Sequence, residues 1–261
     1  MNILILISSY RKSGNTDQTV QILLEHLQSV AKDNNEPLVV DTMYLAHMNI
    51  SPCQGCRVCF DKGEDFCPIK DDMAEIKARM KTADGLILAG PVYVDNVNGI
   101  MKNWIDRLAH VCHRPEFAGK STYLLTTVGS SRTGNALRTM DIALRLWGFY
   151  VIGKAGFKTY AKMEKGKINQ LYGERLTEIA ETIFRSVKGE HYKEVSFISL
   201  MMFKIQQLGW SKANHDSIDY QYWKDHGWLD SKQQFFITPK AHRIKIATAR
   251  LAGSVIAKIM V

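Results

Sequence analysis

Apolar residues fall into two alternating patterns along the first two thirds of the chain. Apolar-rich segments of strand length occur at 2–8 (NILILIS), 38–45 (LVVDTMYL), 85–90 (GLILAG), 121–129 (STYLLTTVG) and 149–157 (FYVIGKAGF). Between them, at 16–31, 71–83, 99–112 and 135–148, apolar positions recur every three or four residues, as Val20, Leu23, Leu24, Leu27 and Val30 do. The first pattern predicts strands and the second helices. A fifth helix is expected over about 169–187. Asp72, three residues before Glu75, reads as an N-cap with a capping box. Five strand–helix units with strands apolar on both faces predict an α/β fold: a doubly wound parallel sheet covered by helices on each side. Right-handed crossovers then collect the loops that follow the strands along one sheet edge, where such folds bind ligands.

The pattern breaks near Gly189, which divides the chain into 1–189 and an extension, 190–261. Residues 190–236 hold ten aromatics, including Trp210, Trp223 and Trp228, without strand–helix alternation. An extended arm that buries them only against a partner chain, in a homodimer or tetramer, accounts for that composition. Residues 239–261 read as a basic amphipathic helix in which Ile244, Ala247, Leu251, Val255 and Ile259 share a face. Charge follows the same division. The net charge is +8, yet no acid follows Asp230, and six cations lie beyond it. The body is therefore nearly neutral and no nucleic-acid recognition motif accompanies the charge, so nucleic acid is not an expected partner. The helix is expected to pack its apolar face on the protein. An anionic membrane surface, as a peripheral contact, or an acidic ferredoxin are the alternatives. The apolar run at 3–7 is too short to span a bilayer and has no basic region before it. A cytoplasmic protein is expected.

Three loops on the ligand edge carry candidate chemistry. The first strand runs through Ser8, Ser9, Tyr10, Arg11, Lys12, Ser13, Gly14, Asn15 and Thr16 directly into a helix. Hydroxyls, loop amides and a helix N-terminus suit a phosphate monoester. The order of residues matches neither a Walker loop nor a dinucleotide fingerprint. A plain strand-to-helix turn capped by Thr16 explains the same residues. The third strand ends in a Pro91–Gly99 loop and the fourth in a Thr127–Gly134 loop. Together the three describe a mononucleotide pocket.

Five cysteines are too few for a disulfide scaffold, and four of them, Cys53, Cys56, Cys59 and Cys67, lie within fifteen residues. Two C-x-x-C steps sharing a middle cysteine bring three thiolates to one centre, and a fourth followed by Pro68 can close the shell. This resembles [4Fe–4S] ligation, with a longer final gap than a bacterial ferredoxin uses. Zinc on all four, metal-free thiols or a disulfide, and a simple dimer contact are the other readings. His110, Cys112 and His113 are read as structural, because a helix projects neighbouring positions in different directions. Asp71 and Asp72 are assigned to helix capping, and Asp106–Arg107 to a structural or interface ion pair.

The S-x-R-x-S-x-N-T segment at Ser9–Thr16, the PVY segment at Pro91–Tyr93 and the helix carrying Gly99, Lys102, Ile105, Asp106 and Arg107 resemble the flavodoxin-like NAD(P)H-dependent FMN reductase family over roughly 1–188. That resemblance implies a five-stranded flavodoxin-like sheet of order 2-1-3-4-5 with FMN at the strand C-termini. By position, Ser9, Arg11, Ser13, Asn15 and Thr16 would hold the phosphate. Pro91, Val92, Tyr93 and Asn96 would line one side of the isoalloxazine, and Gly129, Ser130 and Gly134 the other. The cysteine spacing, and the continuation from Cys67 to Met73, are similar to the family's iron–sulfur flavoproteins, which implies a [4Fe–4S] cluster beside FMN. The implied activity is electron transfer between NAD(P)H or another donor and an acceptor such as a quinone or ferredoxin. An FMN reductase without a cluster, a flavodoxin-like electron carrier and a module that has lost its flavin are the alternatives.

Overall fold

A computed structural model describes residues 1–189 and 194–260. Five parallel strands form its centre: β1 (Asn2–Ile7), β2 (Val39–Tyr44), β3 (Gly85–Tyr93), β4 (Ser121–Val128) and β5 (Tyr150–Lys158). Their order across the sheet is β2-β1-β3-β4-β5, the flavodoxin-like order. A two-residue strand, Asn96–Val97, folds back antiparallel on the end of β3.

Alternation along β1 explains why its apolar run is unbroken. Ile3, Ile5 and Ile7 enter one core with Leu23 and Leu27 of helix α1 (Asn15–Asp33) and Ile183 of α5 (Lys165–Val187). Leu4 and Leu6 enter the opposite core with Ile76 of α2 (Met73–Thr82), Trp104 of α3 (Gly99–Arg107) and Leu144 of α4 (Gly134–Leu146). A strand covered on both faces has no position left for polar side chains. Strand β2 departs from that expectation: it is an edge, and Val39 is exposed.

Three local expectations change. Helix α5 begins at Lys165, one turn before the expected start. Helix α3 stops at Arg107 and a 3-10 turn, Ala109–Cys112, follows. The capping box at α2 does not form. Asp72 accepts the Asn49 N–H at 2.7 Å, Asp71 accepts the Met73 N–H at 3.2 Å, and Glu75 pairs with Arg79 at 2.6 Å.

The extension is a helical layer, with α6 (Phe197–Ser211), α7 (Ile218–Asp225) and α8 (Arg243–Met260). Its first four residues, 190–193, with Tyr192 among them, and Val261 lie outside the described residues. The expected free arm is corrected here. Phe203, Trp223, Trp228, Phe235 and Phe236 are buried in the same core as β1 and α5. The Trp223 indole N–H donates to the His113 carbonyl at 2.7 Å, and the Tyr222 hydroxyl to Pro115 O at 3.1 Å. These aromatics find their partners within the chain.

Helix α8 also departs from expectation. The stripe predicted to pack inward is the exposed one, with Ile244 at 67%, Leu251 at 67%, Val255 at 53% and Ile259 at 81% of full exposure. Ile246, Ala249, Gly253 and Ala257 are buried instead. The cause is close approach of two helices. A Cβ on Gly253 would lie 2.7 Å from the Met201 carbonyl oxygen of α6, so only a small-residue face fits there. Among the described residues no helix is long and apolar enough to cross a membrane.

Candidate functional site

The loop after β1 is shaped by its own polar groups. Ser9 Oγ accepts the Arg11 N–H at 3.2 Å, and Ser13 takes a left-handed conformation, φ 58°. The Ser13 N–H donates to the buried Asp17 carboxylate at 2.8 Å, and Asp17 also accepts the Tyr44 hydroxyl at 2.5 Å. Burial and the Asp17 carboxylate push the Tyr44 phenol up to about 12, so it stays a hydrogen-bond donor. No side chain caps α1. Its first-turn amides and the positive helix end are therefore available to an anion.

Asn15 ties this loop to the end of β5. Its Nδ2 donates to the carbonyls of Thr159 and Tyr160 at 3.1 and 2.9 Å, and its Oδ1 accepts the Met163 N–H at 2.9 Å. Thr16 and Thr127 share a buried hydroxyl contact of 2.6 Å. The result is a concavity of about 70 Å³ that gathers Ser9, Arg11, Asn15 and Thr16 with Pro91, Val92, Tyr93 and Gly129. Ser13, Asn96, Ser130 and Gly134 are not among its lining. The Ser13 amide is consumed by Asp17. Asn96 Oδ1 accepts the Val97 N–H and the Thr139 hydroxyl, both at 2.8 Å, and Gly134 starts α4. Gly14, Thr127, Val128, Thr159 and Tyr160 also line the concavity. Thr159 and Tyr160 belong to no loop motif; only the place of β5 beside β4 brings them to the site.

Those residues fit the phosphate end of FMN. The lining offers hydroxyls, a guanidinium and free amides, with no carboxylate or imidazole. The concavity is small, and the exposed rings of Tyr93 and Tyr160 stand at its open rim. Beside them Val94 and Asp95 both have positive φ, 46° and 62°, and Asp95 is held by Asn135 Nδ2 at 2.7 Å. A β-branched residue in that conformation costs about 1–2 kcal/mol.

The four clustered cysteines line a second, larger cavity of about 650 Å³. All are free thiols; Cys53 and Cys56 are exposed, and Cys59 and Cys67 half-buried. Left-handed turns at Gly55 (φ 66°) and Arg57 (φ 63°) reverse the chain between successive cysteines, and one helical turn, Val58–Asp61, carries Cys59. Burial, and then the neighbouring Cys53, push the Cys59 thiol pKa up.

The base of the loop is closed by α3. Arg107 forms a two-pronged pair with Asp71, beyond Cys67, and donates to Ser51 O at 2.8 Å, before Cys53. Asp71 also accepts the Ser51 N–H at 2.9 Å. Asn103 Nδ2 donates to Ile50 O at 2.9 Å. Arg107 therefore pairs with Asp71, and Asp106 with Lys102 at 2.5 Å; the expected Asp106–Arg107 pair does not form. From the other side, Arg114 donates to the Cys59 carbonyl at 2.6 Å while Asp219 of α7 holds its guanidinium.

The donor set fits an anionic iron–sulfur cluster. Four thiols face one cavity whose walls carry Arg57, Lys70, Lys77, Lys81 and Arg107 alongside Glu64, Asp65, Asp71 and Asp106. A single tetrahedral zinc would need its sulfurs about 3.8 Å apart, from bonds of about 2.3 Å. No three of these thiols fall within 4.8 Å of one another. Among the described residues the trio that does is Glu64, His110 and Glu116. There Lys77 already bridges both carboxylates, at 2.7 Å from Glu64 and in contact with Glu116. Burial and the Lys77 charge hold the His110 pKa well down, so its imidazole is neutral. His113 instead meets Asp219 at 2.8 Å and packs on Trp210. Neither histidine adds to the cysteine set.

One helix joins the two sites. Asn98 caps α3 and donates to the Ser8 carbonyl at 2.6 Å, beside the phosphate loop. Arg107, at the other end, closes the cysteine loop. Nine helical residues span about 13 Å.

Comparisons agree with this geometry. Residues 1–161 match the family model of NADPH-dependent FMN reductases. An iron–sulfur flavoprotein of Archaeoglobus fulgidus is 29% identical over 230 residues, 86% of this chain and 98% of that one. An iron–sulfur flavoprotein of Methanosarcina thermophila is 34% identical over 157 residues, 59% of this chain and 78% of that one. The crystal structure of RosB with bound 8-demethyl-8-formylriboflavin-5'-phosphate superposes with a TM-score of 0.56 at 13% identity, covering 74% of this chain and 82% of that one. At that identity the likeness shows the fold alone. A phosphate-suited loop at the edge of a 2-1-3-4-5 sheet, four thiols on one cavity and these matches lead to one assignment: the chain belongs to the NADPH-dependent FMN reductase family, in its iron–sulfur flavoprotein subgroup.

Proposed function

We propose that this FMN-dependent oxidoreductase draws electrons from NAD(P)H and delivers them, through a [4Fe–4S] cluster on Cys53, Cys56, Cys59 and Cys67, to a quinone or a ferredoxin. The observation that carries the reading is the placement of four free thiols at one end of α3 and the phosphate loop at the other. Bound FMN supplies hydride acceptance and single-electron release, and a bound cluster supplies one-electron transfer.

The chain's own residues do the positioning. Ser9, Arg11, Asn15, Thr16 and the first turn of α1 would bind the phosphate. Pro91, Val92, Tyr93 and Gly129 would flank the ring. No carboxylate or histidine lines the pocket, which suits hydride chemistry that needs no protein base. The sequence holds no second nucleotide motif, so the nicotinamide would be received at the open rim of Tyr93, Val94 and Tyr160. Arg107, through Asp71 and Ser51, would hold the two ends of the cysteine loop together. A cytoplasmic location would suit four cysteines kept as thiols.

The test is the visible spectrum of anaerobically purified protein with FMN, iron and acid-labile sulfide analysis. About four iron and four sulfide per FMN are expected. Flavin without iron or sulfide would sink the cluster and spare the reductase. Cys59→Ser should lose iron and keep flavin. NADPH turnover with a quinone supports the assigned direction of flow; negligible NAD(P)H oxidation beside fast reduction by ferredoxin would overturn the donor.

A further inference from the structure

Helix α8 is apolar on two opposite faces, and among the described residues only one has a partner. The face built on Ala249, Gly253 and Ala257 seats against α6, where the Met201 carbonyl and the Lys204 side chain leave no room for a Cβ on Gly253. At 3.6 residues per turn the opposite side carries Ile244, Leu251 and Val255, with Ile259 at its edge. These four side chains are 53–81% exposed, and no other element of the described chain covers them. Helix rotation cannot hide them, because the small-residue contact fixes the orientation.

The stripe is edged by positive charge. Arg243, Lys245, Arg250 and Lys258 are the ionisable side chains of α8, and no acid occurs after Asp230. Lys245 is paired with Glu194 at 2.9 Å, and Arg250 holds the carbonyls of Ser231 and Gln233 at 2.8 Å. Arg243 and Lys258, near the two ends of the stripe, have no acidic partner among the described residues. A second copy docking stripe to stripe would align these cations along one seam with no acid on the helix to offset them. An anionic surface that is apolar just beneath its charge satisfies both features.

We infer that α8 is a membrane-surface foot, which lays Ile244, Leu251, Val255 and Ile259 into the headgroup boundary of an anionic bilayer while its basic edges meet the lipid phosphates. The helix lies on the surface; it does not span it. A flavoprotein held this way works beside the phase in which lipophilic acceptors dissolve.

Flotation of the full, FMN-loaded chain with vesicles tests the inference. Vesicles of phosphatidylcholine with phosphatidylglycerol should carry about tenfold more protein than vesicles of phosphatidylcholine alone, and added salt should release it. Leu251→Glu with Ile259→Glu should reduce binding by about tenfold or more. Both residues are exposed and outside the flavin and cysteine sites, so NAD(P)H oxidation in solution should be unchanged. Failure of the wild-type chain to float with anionic vesicles overturns the inference, as does equal flotation of the double variant. Light scattering gives a third route to refutation: an oligomer that the double variant dissolves, without vesicle binding, assigns the stripe to a second copy.

Discussion

The Arg107–Asp71 pair is the point at which one substitution should reach both the fold and the cysteine loop. Its side chains are 5% and 1% exposed. Around it Arg107 also holds Ser51 O, and Asp71 holds the amides of Ser51 and Met73. Asp71→Asn keeps the shape and most hydrogen-bonding capacity but leaves a buried guanidinium uncompensated. Breaking a buried pair from one side costs about 3–5 kcal/mol. At about 2–4 °C per kcal/mol for a chain of this size, the melting temperature should fall by roughly 6–20 °C. Arg107→Met should cost a similar amount. The double variant should recover part of the loss, because an apolar pair of similar volume removes the buried charge altogether. Thermal melts of FMN-saturated protein read the stability, and iron content reads the loop. A single variant that melts within about 2 °C of wild type and keeps full iron would refute the clamp.

The same pair sets a pH dependence with a definite sign. Burial pushes the Asp71 carboxyl up, but Arg107 and the two backbone amides outweigh it, and its pKa is lowered. A carboxylate lowered in the folded state contributes stability above its unfolded pKa of about 3.9 and loses it as pH falls through the folded value. Acid denaturation of wild type should therefore steepen below about pH 4, and Asp71→Asn should flatten that limb.

Three further outcomes follow from named contacts. Asn15→Ala removes the three hydrogen bonds that tie the phosphate loop to residues 159–163; FMN fluorescence titration should show affinity weakened by about ten- to a hundredfold, with about 1–3 kcal/mol of stability lost. Asp219→Asn frees Arg114 from α7 and so loosens its grip on the Cys59 carbonyl; iodoacetamide should label Cys59 of the cluster-free protein faster than in wild type, while an unchanged rate would separate the extension from the loop. Gly90→Ala places a Cβ 2.4 Å from Ser8 Oγ and 3.3 Å from Met101 Cε; denaturant midpoints should report about 1–3 kcal/mol of overpacking.

Much of the site was legible because loop chemistry is local. The hydroxyl- and amide-rich turn after β1, the PVY segment and the cysteine spacing each lie within a short stretch, and the structure gathers eight of the proposed flavin residues in one concavity and all four cysteines in another. Thr159 and Tyr160 were invisible because their place in the concavity comes from strand order and the reach of Asn15 across the sheet. Ser13 falls outside the concavity: Asp17 takes its amide, and nothing in the spacing anticipates a carboxylate four residues on. Asp72 looked like a cap by spacing alone, but the Asn49 amide, distant in sequence, takes its carboxylate.

The terminal helix shows the limit of periodicity most clearly. Spacing marks Ile244, Leu251, Val255 and Ile259 as an apolar face, and area alone favours burying them over Ala249, Gly253 and Ala257, since each large aliphatic side chain gains about 1.5–3 kcal/mol on burial. The structure makes the opposite choice because α6 approaches too closely at Met201 for anything larger than glycine at 253. Close backbone approach gains dispersion contacts along the whole seam, and it leaves several large side chains in water. A helix that accepts that exposure on a basic, acid-free segment is explained when a second surface covers the stripe. Gly253→Leu sharpens the distinction. If the seam with α6 fixes the orientation, the variant should lose stability by about 1–3 kcal/mol or more and disturb the burial of Ile246 and Ala257. If α8 tolerates rotation, stability should hold and the exposed stripe should become protected from solvent. Hydrogen exchange and tryptophan emission from Trp210 and Trp228 separate the two, and a stable variant with a protected stripe would show that the outward face is a choice of this sequence at one residue rather than a property of the packed layer.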